Sequence, residues 1–305
     1  MRWKSRLTAF TICFAIGLAA AFIVAILLRQ RLHRAQTQLT PCQRDDYFNR
    51  PEEILTALKT EAVVVRREML KRLLVRPEIA TVYYDYERDL DYPARADRAR
   101  LEYVQLDDTP ETEAIVSFVR VERPMALILS RESCGWKLVA ALNSWLRFED
   151  YPYDNWLTLP ETIKPGIHEL LVRDSNGDAM SYVRKSRLLR LDHNQLVQIA
   201  QFDEEILEPV KEYAGDDWND VKRKRSTNIT FFPGAAPRID IETTTSLIKL
   251  RGPIPSYSYW LETDGTWHTT KRSWSARASQ LLKVLEVTKE PGKVWLATEG
   301  RFVGK

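Results

Sequence analysis

A run of 22 residues without a charged side chain, from Leu7 to Leu28, constrains this 305-residue chain more than any other feature. As an α-helix rising about 1.5 Å per residue it would be roughly 33 Å long, close to the bilayer hydrocarbon thickness of about 30 Å. The alternative is a cleaved signal peptide, but the apolar part of such a peptide is only about 7 to 15 residues long. We therefore predict an uncleaved transmembrane helix over residues 7–28, with the lipid bilayer as its partner.

The charges beside this span do not decide its orientation, because three cations precede it and three follow it. The cysteines favour an extracytoplasmic location for the residues that follow the span. Cys13 lies within the span, whereas Cys42 and Cys134 form an even pair in the rest of the chain, as expected in an oxidising compartment. We predict a Cys42–Cys134 disulfide, a cytoplasmic tail over residues 1–6 and an extracytoplasmic location for residues 29–305, in the periplasm or at the cell surface. Two unrelated buried thiols are the open alternative to the disulfide. A cytoplasmic domain is the open alternative to the extracytoplasmic location.

Charge and composition exclude some partners for the rest of the chain. Residues 35–305 contain 39 Lys and Arg and 42 Asp and Glu, a formal net charge of −3, so we expect no nucleic-acid partner. The basic run Lys222–Arg225 is compatible with phosphates or lipid headgroups, although a solvated loop or strand edge explains it more simply. Residues 29–50 are polar and predict a juxtamembrane stalk. Residues 51–305 predict one β-rich domain, with a division into two subdomains near residue 150 as the alternative.

An amphipathic helix is predicted at the start of this domain. Pro51 opens it, Glu52 and Glu53 suit its N-terminus, and Pro77 follows a basic last turn. Apolar residues recur at spacings of three and four, as on the buried face of a helix. They are Ile54, Leu55, Leu58, Ala62, Val65, Met69 and Leu73. We expect this helix to pack on the domain, with binding to a lipid surface as the alternative.

Short runs rich in Val, Ile, Tyr, Phe and Trp follow Pro77 and are typical of strands. The segments are EIATVYYDYE, RLEYVQL, EAIVSFVRVE, MALILS and GWKLVAAL before residue 150, then HELLVRD, SYVRKSRLLRL, LVQIAQF, TNITFF, RIDIETT and YSYWLETDGTWHTT. The stretches DSNG and LDHNQ and the Asp264–Gly265 pair are hairpin signals, and Cys134 lies at a hairpin tip. The predicted fold class is α+β and mainly β: a transmembrane helix, one amphipathic helix and an antiparallel β-meander.

Motifs for catalysis or metal binding are incomplete in this sequence. His168 begins HELL, but the second histidine of a zinc-protease helix would fall at Val172. The DSNGD stretch at Asp174 has its glycine at the fourth position and Lys185 at the twelfth, unlike a calcium-binding EF-hand loop. Phosphate-binding and nucleophile-elbow motifs are absent from the sequence. We predict no cofactor and no metal site, and no catalytic residue is assigned.

Aromatic residues are the most suggestive feature of the domain. Tyr and Trp offer flat, amphipathic surfaces for a glycan or a protein, although large core and rim residues of a β-rich body explain them more simply. The candidates are Tyr153, Trp156, Tyr259, Trp260 and Trp267. We therefore predict a membrane-tethered binding or assembly module of the cell envelope that contacts a protein or a polysaccharide. The alternative is an extracytoplasmic hydrolase with a carboxylate pair, which would require two acids about 5 to 10 Å apart in a cleft.

Overall fold

The computed structural model describes residues 47–74, 99–120, 123–146, 155–177, 181–210, 221–251, 259–261, 267–269 and 278–304. The chain divides into two compact units, Met1–Tyr47 and Phe48–Lys305. Apart from Tyr47, the first unit lies outside the described residues, and so do the predicted transmembrane helix and most of the stalk. Among the described residues, no helix has the length and apolar character needed to cross a membrane.

Two short helices stand where the sequence predicted one. They are α1, Pro51–Lys59, and α2, Val63–Leu74. The backbone leaves the helical conformation at Thr60, where ψ is 144°. The Thr60 hydroxyl accepts a hydrogen bond from the N–H of Ala62 at 3.3 Å. The backbone carbonyl of Thr60 accepts a hydrogen bond from the Arg66 guanidinium at 2.6 Å. Such side-chain hydrogen bonds compete with helical ones, so the prediction of a single helix was wrong.

The break between the helices also changes which residues are buried. Ile54 and Leu58 of α1 are buried, as the apolar spacing predicted, and so is Leu73 of α2. Val65, which the same spacing placed on the buried face, is exposed. A continuous helix would keep one face over its whole length, whereas a break resets the rotation of the second helix.

Five strands form the first sheet, in the order β1-β5-β4-β3-β2. They are β1, Tyr47–Phe48; β2, Arg100–Val104; β3, Glu113–Arg120; β4, Arg123–Glu132; and β5, Gly135–Asn143. Both faces of this sheet are buried. In β3, Ala114, Val116 and Phe118 pack against the helices, whereas Ile115 and Val119 pack in a second core towards the other sheet. Burial on both faces explains why β3 to β5 are unbroken apolar runs rather than alternating ones.

Eight strands form the second sheet, in the order β15-β14-β11-β10-β9-β8-β7-β6. They are β6, Leu157–Thr158; β7, Leu170–Gly177; β8, Tyr182–Asp192; β9, Gln195–Pro209; β10, Val221–Phe232; β11, Arg238–Arg251; β14, Ala278–Leu296; and β15, Arg301–Val303. Between β11 and β14, a separate antiparallel pair consists of β12, Tyr259–Leu261, and β13, Trp267–Thr269. The prediction of a mainly β fold with antiparallel sheets is confirmed.

Polar contacts join the end of β5 to β7 and β8, where the two sheets meet. The Ser144 hydroxyl donates to the carbonyl of Arg173, and the N–H of Trp145 donates to Asp174 at 3.2 Å. Arg187 bridges this region, because its Nε lies 2.8 Å from the Asp174 carboxylate and its Nη2 lies 3.2 Å from the carbonyl of Asn143. These hydrogen bonds pair the backbone groups of a connection that runs between two buried surfaces.

The connection from β8 to β9 is a two-residue turn. His193 and Asn194 have φ values of 49° and 63°, both in the left-handed region, and Asp192 pairs with Gln195 across the turn. Two successive positive φ values define the type I′ turn that suits the twist of a hairpin. The turn predicted from LDHNQ is therefore confirmed. In DSNG, by contrast, Asn176 and Gly177 belong to β7 and pair with β8, so the strand continues through them.

Candidate functional site

The residues singled out from the sequence lie in different places. Cys134 is half-buried in the turn between β4 and β5, while Cys42 lies outside the described residues, so their pairing stays a prediction. Tyr153 is also outside the described part of the chain. Trp156 is 6% exposed and packs in the core between the two sheets, so its ring is not a contact surface for a ligand.

The other three aromatic candidates lie in one hairpin. Trp260 pairs with His268, and Leu261 pairs with Trp267 in the register of β12 and β13, while Tyr259 pairs with Thr269. The structure therefore brings Tyr259, Trp260 and Trp267 together along the chain and across the hairpin. Trp156 is not part of this hairpin and lies in the core between the two sheets.

Strand β14 carries a long exposed stretch that the sequence analysis did not identify. From Ser279 to Glu290 every side chain is exposed, including five large apolar ones. Their exposed fractions are 59% for Leu281, 45% for Leu282, 45% for Val284, 43% for Leu285 and 53% for Val287. Together these side chains expose an area on the order of a few hundred Å², similar to the largest apolar patch on a typical monomer, which is often functional.

Within the described part of the chain, one edge of this strand has a neighbouring strand only at its C-terminal end. Strand β14 pairs with β11 along Ala278–Val294, but β15 pairs with it only at Val294–Leu296. Among the strands that the structure describes, none lies on the β15 side of residues 278–293. We call the stretch Ser279–Glu290 the open edge. Unpaired backbone N–H and C=O groups on such an edge are a template for another strand.

Two of the three irregularities in the pairing of β14 with β11 lie within the open edge and change the direction of its side chains. The register with β11 shifts between Thr245 and Ser246 and again between Leu247 and Ile248, so β14 has an extra residue at each place. Lys283 lies opposite Leu247 and Glu286 lies opposite Thr245. Because Thr245 and Leu247 are two residues apart on β11, Lys283 and Glu286 share one face of the sheet although they are three residues apart. A regular strand would place them on opposite faces.

Two glutamates with perturbed pKa values are buried near the connection between the sheets. Glu113 is 1% exposed, and its Oε2 accepts a hydrogen bond from the N–H of Leu106 at 2.8 Å. Burial raises the pKa of Glu113 to about 7, and the nearby Asp107 charge contributes in the same direction. Glu169 is also 1% exposed, and its Oε2 accepts hydrogen bonds from the N–H and the hydroxyl of Thr162 at 2.8 and 2.7 Å. Burial raises its pKa as well.

Both glutamates perform the same structural task. Each accepts a hydrogen bond from the backbone seven residues earlier and so holds the preceding loop against its own strand. His168, beside Glu169, also contacts neighbouring loops. Its ring Nδ1 lies 2.8 Å from the carbonyl oxygen of Leu159, and its backbone N–H donates to the carbonyl of Gln105 at 2.9 Å. The two buried carboxyl groups are therefore placed to hold loops rather than to contact a substrate.

The basic run Lys222–Arg225 lies in β10, an interior strand of the second sheet. Lys224 forms an ion pair with Glu205 at 3.0 Å, and Arg225 lies 3.4 Å from Asp203. Both acids belong to β9, which pairs with this part of β10. The run is therefore not the loop or strand edge that the sequence favoured. Its ion pairs with β9 reduce the charge available to phosphates or lipid headgroups.

Within the described ranges, no group of three or more His, Cys, Asp or Glu side chains is arranged to hold a metal ion. No protein-family model, curated protein or solved structure matches this chain.

The sequence carries a signal for the open edge, but a misleading one. Leu281, Val284 and Val287 recur every three residues, a spacing that resembles a helical face more than a strand. The two register shifts produce this spacing, because they place these three residues opposite Ile248, Ser246 and Thr244, on one face of the sheet. The observation that would have pointed to a strand is the density of Val and Thr in this stretch.

Proposed function

We propose that this chain is a membrane-tethered, extracytoplasmic binding or assembly module of the cell envelope, which docks a protein partner on the open edge of β14. The observation that carries the proposal is the exposure of this edge, where five large apolar side chains accompany a backbone edge that no described strand pairs with. An extended segment of a protein can supply both a complementary backbone and apolar side chains. A polysaccharide offers neither, so a protein is the better fit to this surface.

The tether rests on the uncharged run at residues 7–28, which has the length of a bilayer span. The extracytoplasmic location rests on the even pair Cys42 and Cys134, of which Cys134 lies in the turn between β4 and β5. Disulfides persist in oxidising compartments, so a bond from Cys134 to Cys42 would fit a domain outside the cytoplasm. A cofactor is not needed for this function.

The alternative of a hydrolase with a carboxylate pair draws no support from the described residues. Glu113 has the raised pKa of a general acid, but it is buried and holds the loop before β3. Glu169 is equally buried and holds the loop before β7. A glycosidase pair must reach the bond that it cleaves, so we do not propose this activity.

Site-specific photocrosslinking in the cells that produce the protein tests the docking role. A benzophenone amino acid is placed in the full-length chain at Leu285, within the open edge, and in a matched variant at Val64, which is 73% exposed on α2. We expect a discrete crosslinked product with a second polypeptide at Leu285 and none at Val64. Absence of a product at Leu285, or equal products at both positions, would contradict the proposal.

A further inference from the structure

We propose that two loops form a pH-sensitive latch between the two sheets, and that ionisation of Glu113 opens it. The first loop is residues 105–112, between β2 and β3, and the second is residues 159–169, between β6 and β7. We call these two loops the latch. The proposal is independent of the docking role of β14, because no residue of the latch belongs to the open edge.

Three contacts join the first loop to the second sheet. The backbone N–H of His168 donates to the carbonyl of Gln105 at 2.9 Å. The carboxylate of Asp108 lies 2.5 Å from the Nζ of Lys164 and 3.5 Å from the Nη2 of Arg190. Gln105 and Asp108 follow a strand of the first sheet, whereas the other three residues belong to β8 or to the loop before β7. The latch therefore holds an edge of one sheet against the other sheet.

The first loop keeps its shape through hydrogen bonds of its own. The side-chain amide of Gln105 donates to the carbonyls of Asp107 and Thr109 at 2.8 and 2.5 Å. The carboxylate of Asp107 accepts a hydrogen bond from the N–H of Thr109 at 2.7 Å. The loop is attached to the core at Leu106, whose side chain is buried and whose N–H donates to Glu113. A loop braced in this way can move as a unit when that attachment weakens.

Glu113 is a buried carboxyl group with no cation to balance its charge. Among the described residues no ion pair involves it, because Lys164 and Arg190 contact Asp108 instead. The charged or titratable groups of the elements around it are Asp107, Asp108 and Glu111 in its own loop, Glu161, Lys164, His168 and Glu169 in the second loop, Arg190 in β8 and Lys137 in β5. An ionised carboxylate buried without a cation regains its hydration only if the loop that covers it moves away.

Glu169 closes the second loop in the same way but has different surroundings. Burial raises its pKa, whereas the hydrogen bonds from Thr162 and the charges of Arg190 and His168 lower it. Ionisation of Glu169 is therefore partly compensated within the closed latch. For Glu113 the neighbouring charge is that of an aspartate, Asp107, which adds to the effect of burial and raises its pKa further. Glu113 is thus the group whose ionisation the closed latch resists.

Hydrogen exchange in the full-length protein, purified in detergent micelles, tests the latch. The amides of Leu106 and His168 report on it, because each donates a hydrogen bond that opening breaks. We expect exchange at both amides, divided by the chemical exchange rate, to rise about ten-fold from pH 6 to pH 8. This factor follows because the pKa of Glu113 is about 7 in the closed latch and 4.5 once water reaches the carboxyl group.

The same measurement separates local opening from global unfolding. Both amides should exchange faster than the paired amides of β4 at each pH, because opening of the latch leaves the first sheet intact. Protection equal to that of β4 would show that the two amides exchange only through global unfolding, and the latch would then fall. A wild type with no rise between pH 6 and pH 8 would overturn the proposal as well.

Two variants assign the effect to one carboxyl group. Glu113→Gln should abolish the rise at Leu106 and His168, because Gln accepts the same hydrogen bond but does not ionise. Glu169→Gln is the matched control, since it removes an equally buried carboxyl group and should leave the ten-fold rise at Leu106 in place. A rise that persists in Glu113→Gln, or one that Glu169→Gln abolishes equally, would contradict the role of Glu113.

Discussion

Glu113 shows how a single residue can couple the stability of this fold to pH. Its carboxyl group is enclosed between β3 and the loop before it, where one hydrogen bond from Leu106 compensates part of the lost hydration. Burial disfavours the ionised form, so the pKa rises from 4.5 to about 7. The folded state therefore holds more protons than the unfolded chain between these two values. The free energy of unfolding should fall as the pH rises from about 4.5 to about 7.

The substitution Glu113→Gln should remove this dependence. Gln keeps an acceptor for the Leu106 N–H but carries no charge, so at pH 8 the variant should be more stable than the wild type by about 2 kcal/mol. At pH 4.5 the advantage should vanish, because the wild-type carboxyl is then protonated when folded. Urea unfolding at both values checks this. Glu102→Gln on the exposed side of β2 is the control, and an equal gain at pH 8 for both variants would contradict the assignment.

At the scale of elements, the spacing of apolar residues can indicate a secondary structure that the hydrogen bonds of the chain do not form. The apolar spacing from Ile54 to Leu73 is continuous, yet Thr60 and Arg66 break the segment into two helices. In β14 the opposite happens, because a three-residue spacing that resembles a helix arises from register shifts within a strand. The spacing of apolar residues alone therefore does not decide between a helix and a strand, because backbone and side-chain hydrogen bonds can override it.

The turn at His193 and Asn194 predicts a stabilising substitution. Asn194 has a φ of 63°, a left-handed value that glycine adopts without the strain of a Cβ atom. Asn194→Gly should raise the free energy of unfolding by about 0.5 to 1 kcal/mol, since a non-glycine residue is strained there. Asn194→Val should lower it by about 1 kcal/mol or more, because a β-branched residue is poorly tolerated at positive φ. Chemical denaturation of both variants provides the measurement, and a gain for valine would contradict the turn assignment.

At the scale of the whole molecule, the first sheet is the structural centre of the described part. The helices cover one of its faces and the second sheet covers the other, so residues of β3, β4 and β5 contribute to both cores. The second sheet then extends away from this core to the open edge of β14. A sheet that ends in an exposed, apolar edge is a liability for an isolated chain. This organisation explains why the proposed partner docks there.

The predicted disulfide and tether can be tested together on the intact protein. Mass spectrometry without reduction should find a peptide pair joining Cys42 to Cys134, and reduction should lower the free energy of unfolding by about 3 to 5 kcal/mol, as expected for a closed loop of roughly 90 residues. In Cys134→Ser, reduction should have no further effect. Alkaline carbonate should leave the wild type in the membrane, and protease added outside the cytoplasm should degrade it. Free thiols at both cysteines and protection from that protease would contradict the orientation.

The sequence by itself determined what depends on neighbouring residues and on composition. Val- and Ile-rich runs predicted strands, the LDHNQ stretch predicted a tight turn, and the placement of Gly135 after Cys134 predicted a hairpin tip, because propensity and positive φ are local properties. Tertiary structure alone decided the rest. Which aromatic residues are buried, how Lys283 and Glu286 come to share a face, and which edge of β14 stays open all depend on pairing between strands far apart in the chain. Long-range contacts set those features, and the order of residues does not record them.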